Sequence, residues 1–391
     1  MDEDILIERQ EAVDSLLTEI NLLDDVRINR TKKFTLGEIF FLVLCAQICG
    51  YETFREYETY GRLKINLLRK FLPYKNGHPS RSTIARVLAL FEPKIMEQLF
   101  IKWMQKVLKQ EDAKVSDNEQ DVLAVDGKTH RGLQGETLHL VSAFDTRSGL
   151  VLGEEKVNDK SNEITAIPEL LDALEITGQL VSIDAMGCQT KIAAKIRSKN
   201  ADYLLALKGN QGTLLQNVAD YFESKDCLKE CKMVVRTDKG HGRIETRTCY
   251  TTDKIDWLEN KADWEDLRGI VMIEAKRLIK GKETTENRFY ITSAAPEPAK
   301  MLGATRAHWG IENSLHWVLD VIFGEDDRII WNKNIAQNES IIRRIALNLL
   351  KKYRFVIPRK SERSERIAIK TLRKVVVVDD DSMEQLLRVG I

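Results

Sequence analysis

The sequence predicts an α/β protein: a mixed sheet flanked by helices, with an inserted β subdomain and an N-terminal all-helical domain. Three observations predict it. Up to about residue 115, apolar residues recur at helical spacing. From residue 122, short apolar runs separated by turn residues read as strand, strand, strand, helix, strand, helix, strand. A long β-type stretch then intervenes before helical spacing resumes near residue 302.

The helical part begins with the apolar run Leu36 to Gly50, where Cys45 and Cys49 lie one turn apart and read as buried free thiols. Phe54 to Leu72 is amphipathic, and Pro73 and Gly77-His78-Pro79 mark a turn. Ser82 or Thr83 is expected to cap a short helix from Ile84 to Phe91, and Pro93 to start another that runs to about Gln110. Arg81 and Arg86 on that helix-turn-short-helix can enter a DNA groove, although plain helical hairpins look the same in sequence. Residues 111–120 read as a linker.

Val122 to Val125, Leu138 to Phe144 and Leu150 to Val157 are the first three strands. A helix (Ile164 to Leu174), a strand (Gln179 to Ile183), a helix (Thr190 to Lys199) and a strand (Tyr203 to Leu207) follow. That order is the order of a ribonuclease H-like core, in which the first and fourth strands are neighbours. A helix from Gln211 to Ser224 leads into the inserted strands Met233 to Arg236, Glu245 to Thr251, Gly269 to Leu278 and Arg288 to Thr292. Helices Leu302 to Val321 and Ala336 to Lys352 complete the core. The expected domains are therefore 1–115 (helical), 120–215 and 299–355 (catalytic core), 216–298 (insertion) and 356–391 (a basic, then acidic, C-terminal tail).

Hydrophobic residues make up 43% and charged residues 31% of the 391, which supports packed cores rather than disorder. The six cysteines lack both disulfide-framework and zinc-site spacing. With an acidic start and no long apolar run, a cytoplasmic protein is expected; the resemblance drawn below implies a bacterial one, nucleoid-associated when bound to DNA. Net charge is zero, but it is unevenly spread. Residues 26–109 and 343–374 each carry ten more basic than acidic side chains. Such blocks suit phosphate backbones; solvated helix faces produce the same pattern.

Three carboxylates stand out. Asp126 and Asp184 each close an apolar run, and Glu312 lies in a helical stretch. Converging acids repel one another unless a divalent cation neutralises them. His308, Glu312, His316 and Asp320 recur every four residues, a polar helix face suited to supporting a metal-holding carboxylate, with Asn313 on an adjacent stripe. His308 and His316 are eight residues apart, about 12 Å along a helix and too far for one zinc ion. Gly127 reads as a tight exit from the first strand, with Lys128 and Arg131 placed to meet phosphates; P-loop spacing is absent. Lys208, Asn210 and Gln211 end the fifth strand on the edge where the aspartates emerge, and His241, Arg243 and Arg247 would suit a cleaved strand. In Lys160-Ser161-Asn162-Glu163, Ser161 or Asn162 reads as a helix N-cap, and a catalytic role for the stretch is equally open. A Gly-x-Ser-x-Gly nucleophile elbow is absent.

With these residues in view, the chain strongly resembles insertion-sequence transposases of the H-repeat-associated protein family, in the DDE superfamily. The matching stretches include Ala124–Thr129 (AVDGKT), Lys160–Leu171 (KSNEITAIPELL), Ile183–Gln189 (IDAMGCQ), Asp202–Gln211 (DYLLALKGNQ), Gly240–Arg247 (GHGRIETR) and His308–Val321 (HWGIENSLHWVLDV). The resemblance implies a ribonuclease H-like catalytic domain that cuts and joins DNA, with Asp126, Asp184 and Glu312 as its three acids. It implies two Mg²⁺ ions, replaceable by Mn²⁺, and double-stranded DNA partners: the element's terminal inverted repeats and a target. A homodimer on paired ends is expected. The alternatives are a metal-dependent nuclease that does not join strands and an inactive DNA-binding descendant. The chain departs from the family pattern at Ser80-Arg81-Ser82-Thr83, and after Phe323 it is one residue shorter.

Overall fold

The computed structural model describes residues 16–17, 20–23, 25, 27, 32–112, 121–130, 137–157, 162–240, 242–327, 330–357 and 366–389. Arg131, His241 and most of the expected linker lie outside the described residues. The N-terminal region forms α1 (Leu36–Ile48), α2 (Phe54–Leu63), α3 (Ile65–Leu68), α4 (Arg81–Leu90) and α5 (Pro93–Asp112). Every residue of α1 is buried, as its all-round apolarity requires. Thr35 with Glu38 and Thr53 with Glu56 form capping boxes that open α1 and α2 and satisfy their first amides. The stretch from Phe54 to Leu72 is not one helix: it breaks at Lys64 (φ −109°, ψ 19°). Ser80, rather than Ser82 or Thr83, caps α4, so that helix starts earlier than its apolar pattern. Asn334 and Asn338 close its far end, donating to the carbonyls of Ala89, Leu88 and Phe91.

The core has the predicted order. β1 (Val122–His130), β2 (Leu138–Asp145) and β3 (Leu150–Lys156) form an antiparallel meander. α6 (Glu163–Ala173), β4 (Leu180–Ile183), α7 (Thr190–Ser198) and β5 (Asp202–Leu207) add the parallel part. β1 and β4 are parallel neighbours with Val125 opposite Ile183, which sets Asp126 beside Asp184. The first strand does not end at Val125. It stays paired with β2 as far as His130 opposite Leu138, so Asp126 lies mid-strand, where β1 has outrun β4.

After α8 (Gly212–Glu223) and α9 (Lys225–Glu230), the insertion supplies β6 (Lys232–Gly240), β7 (Arg243–Thr252), β8 (Gly269–Ile279) and β9 (Lys282–Thr292). β9 pairs with β5, so the insertion extends the core sheet into nine strands, ordered β3-β2-β1-β4-β5-β9-β8-β7-β6. β6 is the outer edge and is largely exposed.

α10 (Pro298–Ile311) packs across β1 and continues into two π-helical turns, Glu312–His316 and Val318–Ile322. Their backbone bonds span five residues, from Trp317 N to Glu312 O and from Phe323 N to Val318 O. α11 (Lys333–Val356) then runs between the helical domain and the sheet. The segment expected to be a tail forms α12 (Ile369–Val378) and α13 (Asp380–Val389). These bury Leu372, Val376, Met383, Leu386 and Leu387, while Lys64 and Lys70 pair with Asp380 and Glu384. The second basic block is partly interior: Arg343 and Arg344 are fully buried in ion pairs with Glu339 and with Glu154 and Glu325. All six cysteines are free, Cys45 and Cys49 buried as expected. Among the described residues no helix is long and apolar enough to cross a membrane.

Candidate metal centre

β1 carries Asp126 to the point where the first π turn presents Glu312 and His316. One ligand atom from each of these three side chains lies within 4.8 Å of the others. His316 Nδ1 is 3.3 Å from Glu312 Oε2 and 3.6 Å from Asp126 Oδ2. Asp184 stands next to Asp126 in the sheet but outside that 4.8 Å group, its Oδ1 accepting from the Met186 amide at 3.0 Å.

Burial pushes the Asp126 carboxyl up to about 7, with the charges of Asp184, Glu163 and Glu312 adding to the effect and the Gly127 amide opposing it. Negative potential therefore accumulates there. Carboxylate oxygens close together are the donor set of a divalent cation. His316 is buried and held neutral, its pKa lowered to about 3 by burial and by the charges of Arg344 and Lys128. Nε2 has no partner. A proton on Nδ1 satisfies that atom against the carboxylates and leaves only an acceptor unpaired at Nε2, the cheaper arrangement.

The other expected site residues divide. His308 lies against Asp184 and the Ser182 backbone; burial lowers its pKa, and those two neighbours raise it. Asn313 turns back on its own helix, donating to Trp309 O at 3.1 Å. Asp320 meets Lys128, which also donates to Glu325 Oε2 at 2.8 Å. Lys128 is thus engaged within the protein, where open contact with phosphate was expected. Asn210 and Gln211 donate to the carbonyls of Ala185 and Cys188 at 2.7 and 2.9 Å, pinning the loop that follows Asp184. Lys208 is exposed at the end of β5. Arg247 is held by Asp238 and Glu245 at 2.8 and 2.7 Å, whereas Arg243 is half exposed and loosely set, 3.9 Å from Glu245.

Two acids escaped the sequence reading. Glu163 opens α6, and Asn162 caps that helix as expected, accepting from the Ile164 amide. The Glu163 carboxylate rests on Gly127: a Cβ there would lie 2.1 Å from its Oε1. Gly127 is therefore needed for a close approach rather than for a turn. Burial and the charge of Asp184 both raise the Glu163 pKa. A helix starting on the edge where β1 carries its acid was the available signal. Glu325 is fully buried and accepts from Lys128, Ser340 and Arg344, and the two cations hold its carboxyl below the usual range. It fixes β1 and α11 to the end of the π turns.

Comparison with known proteins agrees with this architecture. A family model described as Transposase DDE domain matches residues 117–349, and another, described as DDE_Tnp_1-associated, matches residues 17–104. The "Putative transposase YncI" of Escherichia coli O157:H7 is 38% identical over 370 residues, 92% of this chain and 93% of that protein. The "H repeat-associated putative transposase YhhI" of Escherichia coli K12 is 39% identical over 350 residues, 86% of this chain and 90% of that protein. A shorter "Putative transposase YncI" from the K12 strain is 45% identical over 242 residues, 60% of this chain and 95% of that protein. The chain belongs to the H-repeat-associated family of insertion-sequence DDE transposases.

Proposed function

We propose that the chain is a working transposase: it cuts DNA at the ends of an insertion sequence and joins the freed 3′-OH to target DNA by two-metal phosphoryl transfer. The observation that carries this reading is the convergence of Asp126, Glu312 and His316, with Asp184 on the adjacent strand, inside the segment that matches the DDE domain. Asp126 and Asp184 would hold one divalent cation, and Asp126 with Glu312 the other; Mg²⁺ suits the oxygens and Mn²⁺ would substitute. Bound there, the cations supply Lewis acidity at the attacking hydroxyl and the departing 3′ oxygen. His316 would donate from Nδ1 to Glu312, with Asp126 3.6 Å away, and, being neutral, adds no competing charge. Asn210 and Gln211 hold the loop after Asp184. Lys208 and Arg243 are the exposed cations that would meet phosphates, and two copies would pair two element ends.

The test uses a duplex ending in the inverted repeat of the encoding locus, a supercoiled target and Mg²⁺. The expected result is a joined product, lost by more than about 100-fold in Asp126→Asn, Asp184→Asn and Glu312→Gln, beyond the usual cost of losing an outer-sphere partner. Metal-dependent cleavage that survives in both aspartate variants overturns the site. Hydrolysis without joining reduces the protein to a nuclease, and binding alone reduces it to a DNA-binding relic.

A further inference from the structure

α12 and α13 lie outside both matched segments, yet α12 sends Arg373 into the interior at 7% exposure. Its guanidinium joins parts of the chain that are far apart in sequence. Nε donates to Ile48 O at 3.1 Å and Nη2 to Gln47 O at 2.8 Å, the last turn of α1. Nη1 donates to the carbonyl of Ile322, the final residue of the second π turn. The guanidinium carbon also sits 4.1 Å from the ring centre of Phe323.

Helix ends leave carbonyls without partners, and inside a protein those must be satisfied. One planar group with five fixed donors can serve two helix ends at once, and its charge suits the negative ends of both dipoles. The π turns make this anchor consequential. Such turns are rare and have weaker claims on their own geometry than an α-helix. Glu312 opens the first turn, His316 ends it, Asp320 is braced in the second, and Ile322 is where the segment would otherwise fray.

We propose that Arg373 is a positioning residue for the metal centre, tying the end of the Glu312-bearing segment to the C-terminus of α1, so that the third acid is in place only when α12 is docked. This rests on the reading of Asp126, Asp184 and Glu312 as the metal-holding acids. Arg373→Lys keeps the charge but loses the planar fork that spans the two helix ends, and Arg373→Met fills the space without donating.

The experiment uses the full chain carrying Arg373→Met, with Arg373→Lys as the milder variant in case the first does not fold. Three quantities are read: amide exchange at Phe323 and Glu325, Mn²⁺ affinity by electron paramagnetic resonance, and the kcat and KM of DNA cleavage. Exchange at those amides, which now bond to Val318 O and Leu319 O, is expected to quicken while the α1 interior stays protected. Mn²⁺ affinity and kcat are expected to fall together by about 10- to 100-fold, with KM for DNA little changed and lysine intermediate. A variant that melts earlier but keeps Mn²⁺ affinity and slow exchange at Phe323 overturns the proposal and leaves Arg373 a packing residue. Asp126→Asn is the control. If it abolishes Mn²⁺ binding and Arg373→Met does not, only the positioning role falls; if Mn²⁺ binding survives Asp126→Asn, the reading of the acids has failed and the positioning role falls with it.

Discussion

Asp126 is the residue at which folding and chemistry oppose each other. Its carboxyl moves from 3.8 to about 7 on folding, because the chain buries it among Asp184, Glu163 and Glu312. Between those values the native, metal-free protein holds a proton that the unfolded chain has already released. Native stability must therefore fall as pH rises through that window and level off above about 7. The melting temperature of metal-free protein is expected to drop more steeply from pH 4.5 to 7 than that of Asp126→Asn, and saturating Mn²⁺ should flatten the difference. Glu97 and Glu154, also raised by burial, act in both proteins and cancel from the comparison. Equal slopes would show that the Asp126 proton is not the source. That Asp126, Asp184 and Glu312 lie near one another was legible, because two closed apolar runs and one sat in a polar helical stripe. Glu163 was not, because a carboxylate just after an N-cap has a sufficient local role in helix initiation.

Elements carry the site by departing from regular geometry. The spacing of His308, Glu312, His316 and Asp320 implied one face of an α-helix, but the bonds after Ile311 lengthen to π turns. The stripe then splits: His308 faces Asp184, His316 stays with Glu312 and comes within 3.6 Å of Asp126, and Asp320 pairs with Lys128. A residue period cannot reveal that change, since it depends on what β1 and α11 present to the helix. β1 shows the same limit. Gly127 looked like a strand exit and is instead a gap in mid-strand that admits a carboxylate. Gly127→Ala is expected to fold, since the clashing atoms belong to a flexible side chain, but to push Glu163 off the aspartates. Mn²⁺ affinity should fall to about the level of Glu163→Gln, and the double variant should be no worse than either single one, the non-additivity of residues in contact. Additive losses by titration would mean that the two positions act separately.

At the scale of the whole molecule, the last segment is structural. Charge alone made residues 356–391 a tail, because the sequence shows basic and acidic blocks but not the long-range ion pairs that place them. In the fold, α13 returns to α3 and the end of α2 through Lys64 with Asp380 and Lys70 with Glu384, while its leucines close over α11. A chain ending at residue 365 should lose those buried leucines, melt well below the full chain and bind a hydrophobic dye; an unchanged melt would make the segment dispensable. The sheet has a different kind of consequence. Because β9 pairs directly with β5, the insertion and the strands bearing Asp126 and Asp184 share one continuous sheet. Six interstrand steps lead from β1 to the open edge at β6, about 29 Å at roughly 4.8 Å per step. The continuous sheet thus sets the offset between Asp126 and the exposed strand β6.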